Sequence, residues 1–436
     1  MTQNKTRRHF LGDASAAVLG AAALPATSIL PGVFAQAKAS NPATKKAKTL
    51  VIIYLRGGAD ALNVIPPYGN PRYYELRPTI AVQPADTDDE RGVIKLDDMH
   101  GLHPALGALK PYWDKKLFAP ILSVGSPHPT RSHFDAQDFM EYAAPGDRSM
   151  KHGWLNRYLQ ESKTQKYNPM RALAMQGLLP RALRGKYPVL AVPRMSSGES
   201  EGLLDLFDDV YKTGGGMEED VMGKKLVGGA AAGRKGAVNV GRHTIETLRH
   251  FWEIVEGDDA PRTVGKYPRS GLARRLQMIA KVIKANAGLE VVAIDKGGWD
   301  THQGEGSTDG SINRLLGDVA ASMAAFAKDL GKHLDDTMVL VMSEFGRTAA
   351  ENGNRGTDHG RGGMMLALGG PVNGGRVIGS YGTLERKDLQ DRRDLRVDID
   401  FRTVMKEALK GVHDFDPSGK FFPIFSGRDP INLCKA

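Results

Sequence analysis

Several short stretches of this chain carry side chains able to hold a cation or attack an ester. In Gly125-Ser126-Pro127-His128-Pro129-Thr130-Arg131-Ser132-His133-Phe134-Asp135 a hydroxyl stands between a guanidinium and an imidazole. At a helix N-terminus that order favours both an attacking oxygen and a bound anion. Ser132 is therefore the first candidate nucleophile and Thr130 the second, with His133 as catalytic partner and Arg131 as anion binder. The same hydroxyls also suit a plain N-cap with Asp135 in the first turn. Asp300 and His302 lie two apart after Gly297-Gly298-Trp299, so in an extended segment they point to one side and can share a cation. Ser343-Glu344-Phe345-Gly346-Arg347 offers Glu344 as a ligand and Arg347 as a bidentate oxyanion binder. Asp358-His359, between Gly356 and Gly360, is a compact pair of oxygen and nitrogen donors. Asp60, after Gly57-Gly58-Ala59, is a further candidate ligand, although such a stretch also suits a carboxylate that caps a turn.

The elements that must position these groups read as alternating strands and helices. Nearly continuous apolar runs at Thr49–Leu55, Phe118–Val124, Leu289–Asp295, Thr337–Met342 and Met364–Leu368 are expected to be strands buried on both faces. Helical periodicity runs over Pro104–Lys116, Arg242–Val255, Gly271–Ala287, Ile312–Leu334 and Phe401–Val412. Alternation of the two implies an α/β fold with a largely parallel central sheet flanked by helices. Most of the candidate residues then fall at or near strand ends, and ligands of open parallel sheets bind beyond the carboxyl ends of strands. Between 185 and 270 the pattern weakens into Gly-rich sequence, densest at Tyr211–Val240, which is expected to be a cap or insertion.

The 436 residues include 41% hydrophobic and 25% charged side chains, ample for a large core. One cysteine, Cys434, allows no cysteine metal cluster, so any metal must be held by His and carboxylates. That mixed set suits a divalent ion, Zn²⁺ first, with Mn²⁺, Mg²⁺ or Ca²⁺ as the other choices. Two such ions about 4 Å apart would clamp a phosphoryl or sulfuryl group while a serine or bound water attacks. The net charge of +9 is modest and spread along the chain, which disfavours a nucleic-acid partner. Arg7-Arg8 before the apolar, alanine-rich stretch from Ala14 to Leu30, with Ala35-Gln36-Ala37 after it, is the twin-arginine export pattern. Cleavage near Ala37 would bring the net charge to +7 and release a protein with no further membrane-length span, periplasmic or secreted after passage through the twin-arginine translocase. The expected organisation is a signal peptide at 1–37, a linker at 38–48 and one domain at 49–436.

The stretches Tyr54–Ala81, Leu102–Asp114, Val124–Glu141, Gly153–Leu159, Gly297–Gln303 (GGWDTHQ), Val341–Gly370 and Gly374–Gly379 resemble the bacterial domain-of-unknown-function 1501 family over nearly the whole mature chain. That resemblance implies export, commonly by a twin-arginine signal, and the alkaline-phosphatase-like fold of phosphatases, sulfatases and phosphomutases. Carried onto this chain, it implies Asp60 as a first-strand metal ligand, Ser132 or Thr130 at the nucleophile position, Asp300 with His302 at one metal site, and His359 as its last histidine. Glu344-Phe345 falls where the superfamily has Asp-His; Phe345 supplies no ligand, so a second cation would have to recruit Asp358, bind weakly or be absent. Pro127 stands where a formylglycine-forming Cys or Ser would be needed, which disfavours a formylglycine-dependent sulfatase. The expected activity is metal-dependent hydrolysis of a phosphate or sulfate ester. The alternative is an exported, non-catalytic binding or assembly protein that keeps the fold and takes an exported protein partner.

Overall fold

The computed structural model describes residues 47–84, 91–162, 168–193, 198–199, 201–202, 204–205, 243–427 and 429–435. The twin-arginine segment, most of the linker and the Gly-rich stretch 211–240 lie outside the described residues. Strands follow in the order β1 (Thr49–Arg56), β2 (Ile94–Lys95), β3 (Gly101–Leu102), β4 (Phe118–Gly125), β5 (Ala172–Ala174), β6 (Leu190–Ala191), β7 (Val291–Gly297), β8 (Thr337–Ser343), β9 (Gly363–Gly369) and β10 (Ile399–Asp400). Eight of them form one sheet in the order β10-β4-β9-β8-β1-β7-β5-β6, while β2 and β3 pair apart. The sheet is mostly parallel, with β1 between β7 and β8; β9 alone runs antiparallel to both of its neighbours, β4 and β8.

Strand β1 shows why these runs are strands. Its side chains alternate between two cores, Val51, Ile53 and Leu55 entering one and Leu50, Ile52 and Tyr54 the other. Each fully buried aliphatic chain contributes about 1.5–3 kcal/mol from leaving water, so neither face can be turned outward. Helices Gly271–Lys284 and Ser311–Leu330 seal the first face through Leu276, Ile279, Met323 and Phe326. Helices Trp154–Glu161 and Phe401–His413 seal the second through Trp154, Leu155, Phe401, Met405 and Leu409. The result is the α/β sandwich that the alternation of apolar runs implies.

Two elements depart from the sequence reading. The expected helix Pro104–Lys116 is a 3₁₀ segment, Pro104–Leu109, followed by the short helix Lys110–Asp114. Pro111 lacks the N–H that a continuous α-helical ladder would need there. Within the expected cap, the helix at 243–256 sends Phe251, Trp252 and Val255 into the first core, so this part is packed as body rather than as an appendage. Among the described residues no helix is long and apolar enough to cross a membrane.

Candidate metal centre

The carboxyl ends of β1, β4, β7 and β8 and the start of the antiparallel β9 all face one edge of the sheet, as the registers Val124↔Gly363, Arg56↔Gly297 and Leu55↔Ser343 require. From β4 to β7 the sheet spans four strand spacings, about 19 Å, and the loops must cross this distance to meet. They do so over β8 and β1. The loop after β4 brings His133, the first residue of the helix His133–Glu141. The loop after β7 brings Asp300 and His302, and the loop before β9 brings His359.

His133, Asp300 and His359 each offer a ligand atom within 4.8 Å of the others'. His133 Nε2 lies 2.9 Å from His359 Nε2 and 3.4 Å from Asp300 Oδ1, and His359 Nε2 lies 3.1 Å from that same oxygen. His302 stands beside two of these three, its Nε2 being 2.9 Å from His359 Nε2 and 3.1 Å from Asp300 Oδ1. A cation bound at about 2.0–2.1 Å places neighbouring ligand atoms about 2.9–3.4 Å apart, so the spacing fits.

The remaining ring nitrogens decide what faces inward. His133 donates its Nδ1–H to Glu344 Oε1 at 2.7 Å, His302 to Asp358 Oδ1 at 3.1 Å, and His359 to the Arg131 carbonyl at 2.9 Å. All three acceptors are oxygens, so each ring turns its Nε2 toward the group, and in the neutral ring that nitrogen carries the lone pair. With a lone pair on each Nε2 the His133–Asp300–His359 group would be repulsive, and a cation among its three ligand atoms would remove that repulsion. Outer acceptors of this kind are the usual partners of metal-binding imidazoles.

The surroundings keep both carboxylates of the site ionised. Burial opposes the charge on Asp300, but its hydrogen bond and ion pair with Arg347, with help from His359 and His133, hold its pKa at about 2. Glu344 is also held ionised against its burial, by hydrogen bonds from His133 and Gln137. His133 is shifted upward chiefly by its bond to Glu344, and His359 downward chiefly by desolvation. Phe345 is buried and lies under both rings, 4.8 Å from His133 and 5.1 Å from His359 between centroids. It forms an apolar wall beside the two imidazoles.

The other candidate residues take different places. Asp60 is fully buried, with both oxygens on the Arg77 guanidinium, and no contact among the described residues links it to the imidazoles. Glu344 and Asp358 stand behind His133 and His302 as acceptors and do not join the inner group. Arg347 is buried and donates to the carbonyls of Gly57, Gly58, Trp299 and Thr357 and to Asp300 Oδ1. It ties three loops together rather than facing the opening. Arg131 is engaged with Asp391 and Asp394. Ser132 is exposed as the N-cap of the helix His133–Glu141, makes no side-chain capping bond, and donates its backbone N–H to Thr130 Oγ1 at 3.2 Å. Arg393, which the sequence reading passes over, donates to the His359 carbonyl at 3.2 Å and pairs through Nε with Asp394 at 3.8 Å, its side chain half exposed.

Glycine makes the close approach of these loops possible at one position above all. A Cβ on Gly57, whose φ is +128°, would sit 2.4 Å from the Asp300 backbone nitrogen. The loop after β1 can therefore lie flat against the ligand loop and give its N–H to Glu344 Oε1 at 2.8 Å.

Residues 255–413 match a family described as protein of unknown function (DUF1501). This span contains Asp300, His302, Glu344, Asp358 and His359, and not His133. No curated protein matches the chain.

Proposed function

We propose that the chain is a metal-dependent hydrolase of phosphate or sulfate esters, with the alkaline-phosphatase-like relationship and twin-arginine export that its sequence suggests. The observation that carries this reading is the meeting of His133 Nε2, His359 Nε2 and Asp300 Oδ1, with His302 Nε2 beside the last two and every Nδ1 engaged by an outer acceptor. One divalent ion satisfies this group, and the imidazole nitrogens favour Zn²⁺ or Mn²⁺ over Mg²⁺ or Ca²⁺, which take oxygen ligands. Such an ion would supply Lewis-acid polarisation of the ester and a water of lowered pKa.

The chain's own residues do the rest. Asp300, His133 and His359 bring their ligand atoms together where the Asp300 side chain is 48% exposed to solvent. Ser132 offers an exposed hydroxyl one residue from His133, at the N–H end of a nine-residue helix where negative charge is favoured. Its Oγ would form the new bond to phosphorus or sulfur as the bond to the leaving alcohol breaks, the hydroxyl proton passing through solvent to that alcohol, and water would then hydrolyse the seryl ester to release phosphate or sulfate. Arg393 beside His359 adds positive charge for an anionic ester.

The test is turnover of nitrophenyl phosphate, bis-nitrophenyl phosphate and nitrophenyl sulfate by the full chain. Turnover abolished by chelation, restored by Zn²⁺ or Mn²⁺ and lost in His359→Ala is expected, with Ser132→Ala deciding between serine and water as nucleophile. The engagement of Arg131 and Arg347 by internal acceptors favours a second reading, an exported binding or assembly protein with a structural cation. Zn²⁺ binding without turnover of any ester would establish that reading instead.

A further inference from the structure

We propose that Glu305, a residue outside the donor group, is a positioning residue that clamps the two loops carrying Asp300, His302 and His359 at the separation a cation needs. The inference rests on the reading of those residues as a cation site. Glu305 is fully buried in the loop after His302. Its Oε2 accepts the hydroxyl of Thr301 at 2.9 Å and that of Thr357 at 2.7 Å. Thr301 lies between Asp300 and His302, and Thr357 lies two residues before His359. One oxygen atom thus joins the loop after β7 to the loop before β9 directly behind the ligands.

The rest of the residue is fixed as firmly. The Glu305 backbone N–H donates to the Arg355 carbonyl at 2.9 Å, and its own carbonyl accepts from Ile312 N at 3.1 Å. The adjoining backbones meet once more, Thr357 N donating to the Thr301 carbonyl at 3.1 Å. The far side of the carboxyl faces Asp60, which is itself held by Arg77. Asn63 Nδ2 approaches Oε1 at 3.5 Å. Burial, and then the Asp60 charge, raise the proton affinity of Glu305 well above the usual carboxylate range. The Glu305 and Asp60 carboxyl groups share a hydrogen bond, and Glu305 accepts from both threonines. The chain Arg77–Asp60–Glu305–Thr301/Thr357 is thus a buried strut from the β1 loop to the ligand loops, and it gives Asp60 a structural place in the site without ligation.

Glutamine reproduces this pattern, with a carbonyl oxygen for the two hydroxyls and an N–H for Asp60, whereas leucine keeps the volume and removes both. Co²⁺ binding to the full chain, followed by titration and by its visible absorption spectrum, measures affinity and coordination geometry without reference to turnover. Wild type and Glu305→Gln are expected to bind within threefold of each other with one spectrum. Glu305→Leu is expected to bind about 10–100-fold more weakly, as losses behind a ligand do, with an altered spectrum. Should Glu305→Leu fail to fold, Thr357→Val replaces it and is expected to shift affinity and spectrum the same way. A folded Glu305→Leu or Thr357→Val with wild-type affinity and spectrum would overturn the inference while leaving the cation site intact, as would Glu305→Gln losing as much as Glu305→Leu. Wild type that binds no Co²⁺ would overturn the cation site and the inference together.

Discussion

Replacing Arg347 by lysine separates the two roles that an arginine beside a metal centre can play. In the structure the guanidinium serves five acceptors: the carbonyls of Gly57, Gly58 (2.6 Å), Trp299 (2.9 Å) and Thr357 (3.0 Å), and Asp300 Oδ1 at 2.7 Å. Lysine has three donors in a compact head, so at least two acceptors lose their partners. A buried acceptor left unmade costs about 1–3 kcal/mol. The half-exposed Asp300 side chain is partly screened and adds less. The expected loss is therefore about 4 kcal/mol, a large part of the about 5–15 kcal/mol that holds a typical domain folded. Equilibrium urea unfolding in the presence of EDTA measures it without a contribution from bound cation. An unchanged unfolding midpoint combined with weaker sulfate or phosphate binding would refute this reasoning and return Arg347 to the substrate-binding role its sequence context suggests.

Glu344→Gln weakens the anionic acceptor behind His133, and cation affinity measured by competition with a chromogenic chelator is expected to fall about 10–100-fold. His103 gives the fold an acid sensitivity of its own. Its Nε2–H donates to the Ser307 carbonyl and its Nδ1 accepts from Ala105 N, so the ring is held neutral and burial lowers its pKa to about 4. An unfolded histidine titrates near pH 6.5. The folded form is thus favoured fully above about 6.5, and its advantage is lost as pH falls through 4, about 3 kcal/mol in all. Unfolding free energies measured from pH 7 to 4 should decline by that amount more in wild type than in His103→Gln.

The long strands are legible because burial on both faces forces continuous apolar runs: β1, β4, β7, β8 and β9 each stand within two residues of where hydropathy alone places them. β5, β6 and β10 are two or three residues long and too short to show a period. Nor does an apolar run reveal direction, so the antiparallel insertion of β9 is a matter of topology alone. Strand ends identify His133, Asp300, His302 and His359 as residues of one edge. What spacing leaves open is which of several carboxylates faces the opening. Asp60 looks like a ligand until Arg77, 17 residues away, takes both of its oxygens. Glu344 and Asp358 look like ligands until the imidazoles claim them. Glu305 carries no signal at all, being a lone glutamate between Gly304 and Gly306 whose partners are brought to it only by the fold.

The most direct measurement is the metal content of the chain, purified without chelators and dialysed against micromolar Zn²⁺, set beside a His133→Ala/His359→Ala variant by elemental mass spectrometry. One divalent ion per chain in wild type and none in the variant is the result the imidazole–carboxylate geometry predicts. A wild-type chain that stays metal-free, or a variant that keeps its ion, would contradict it.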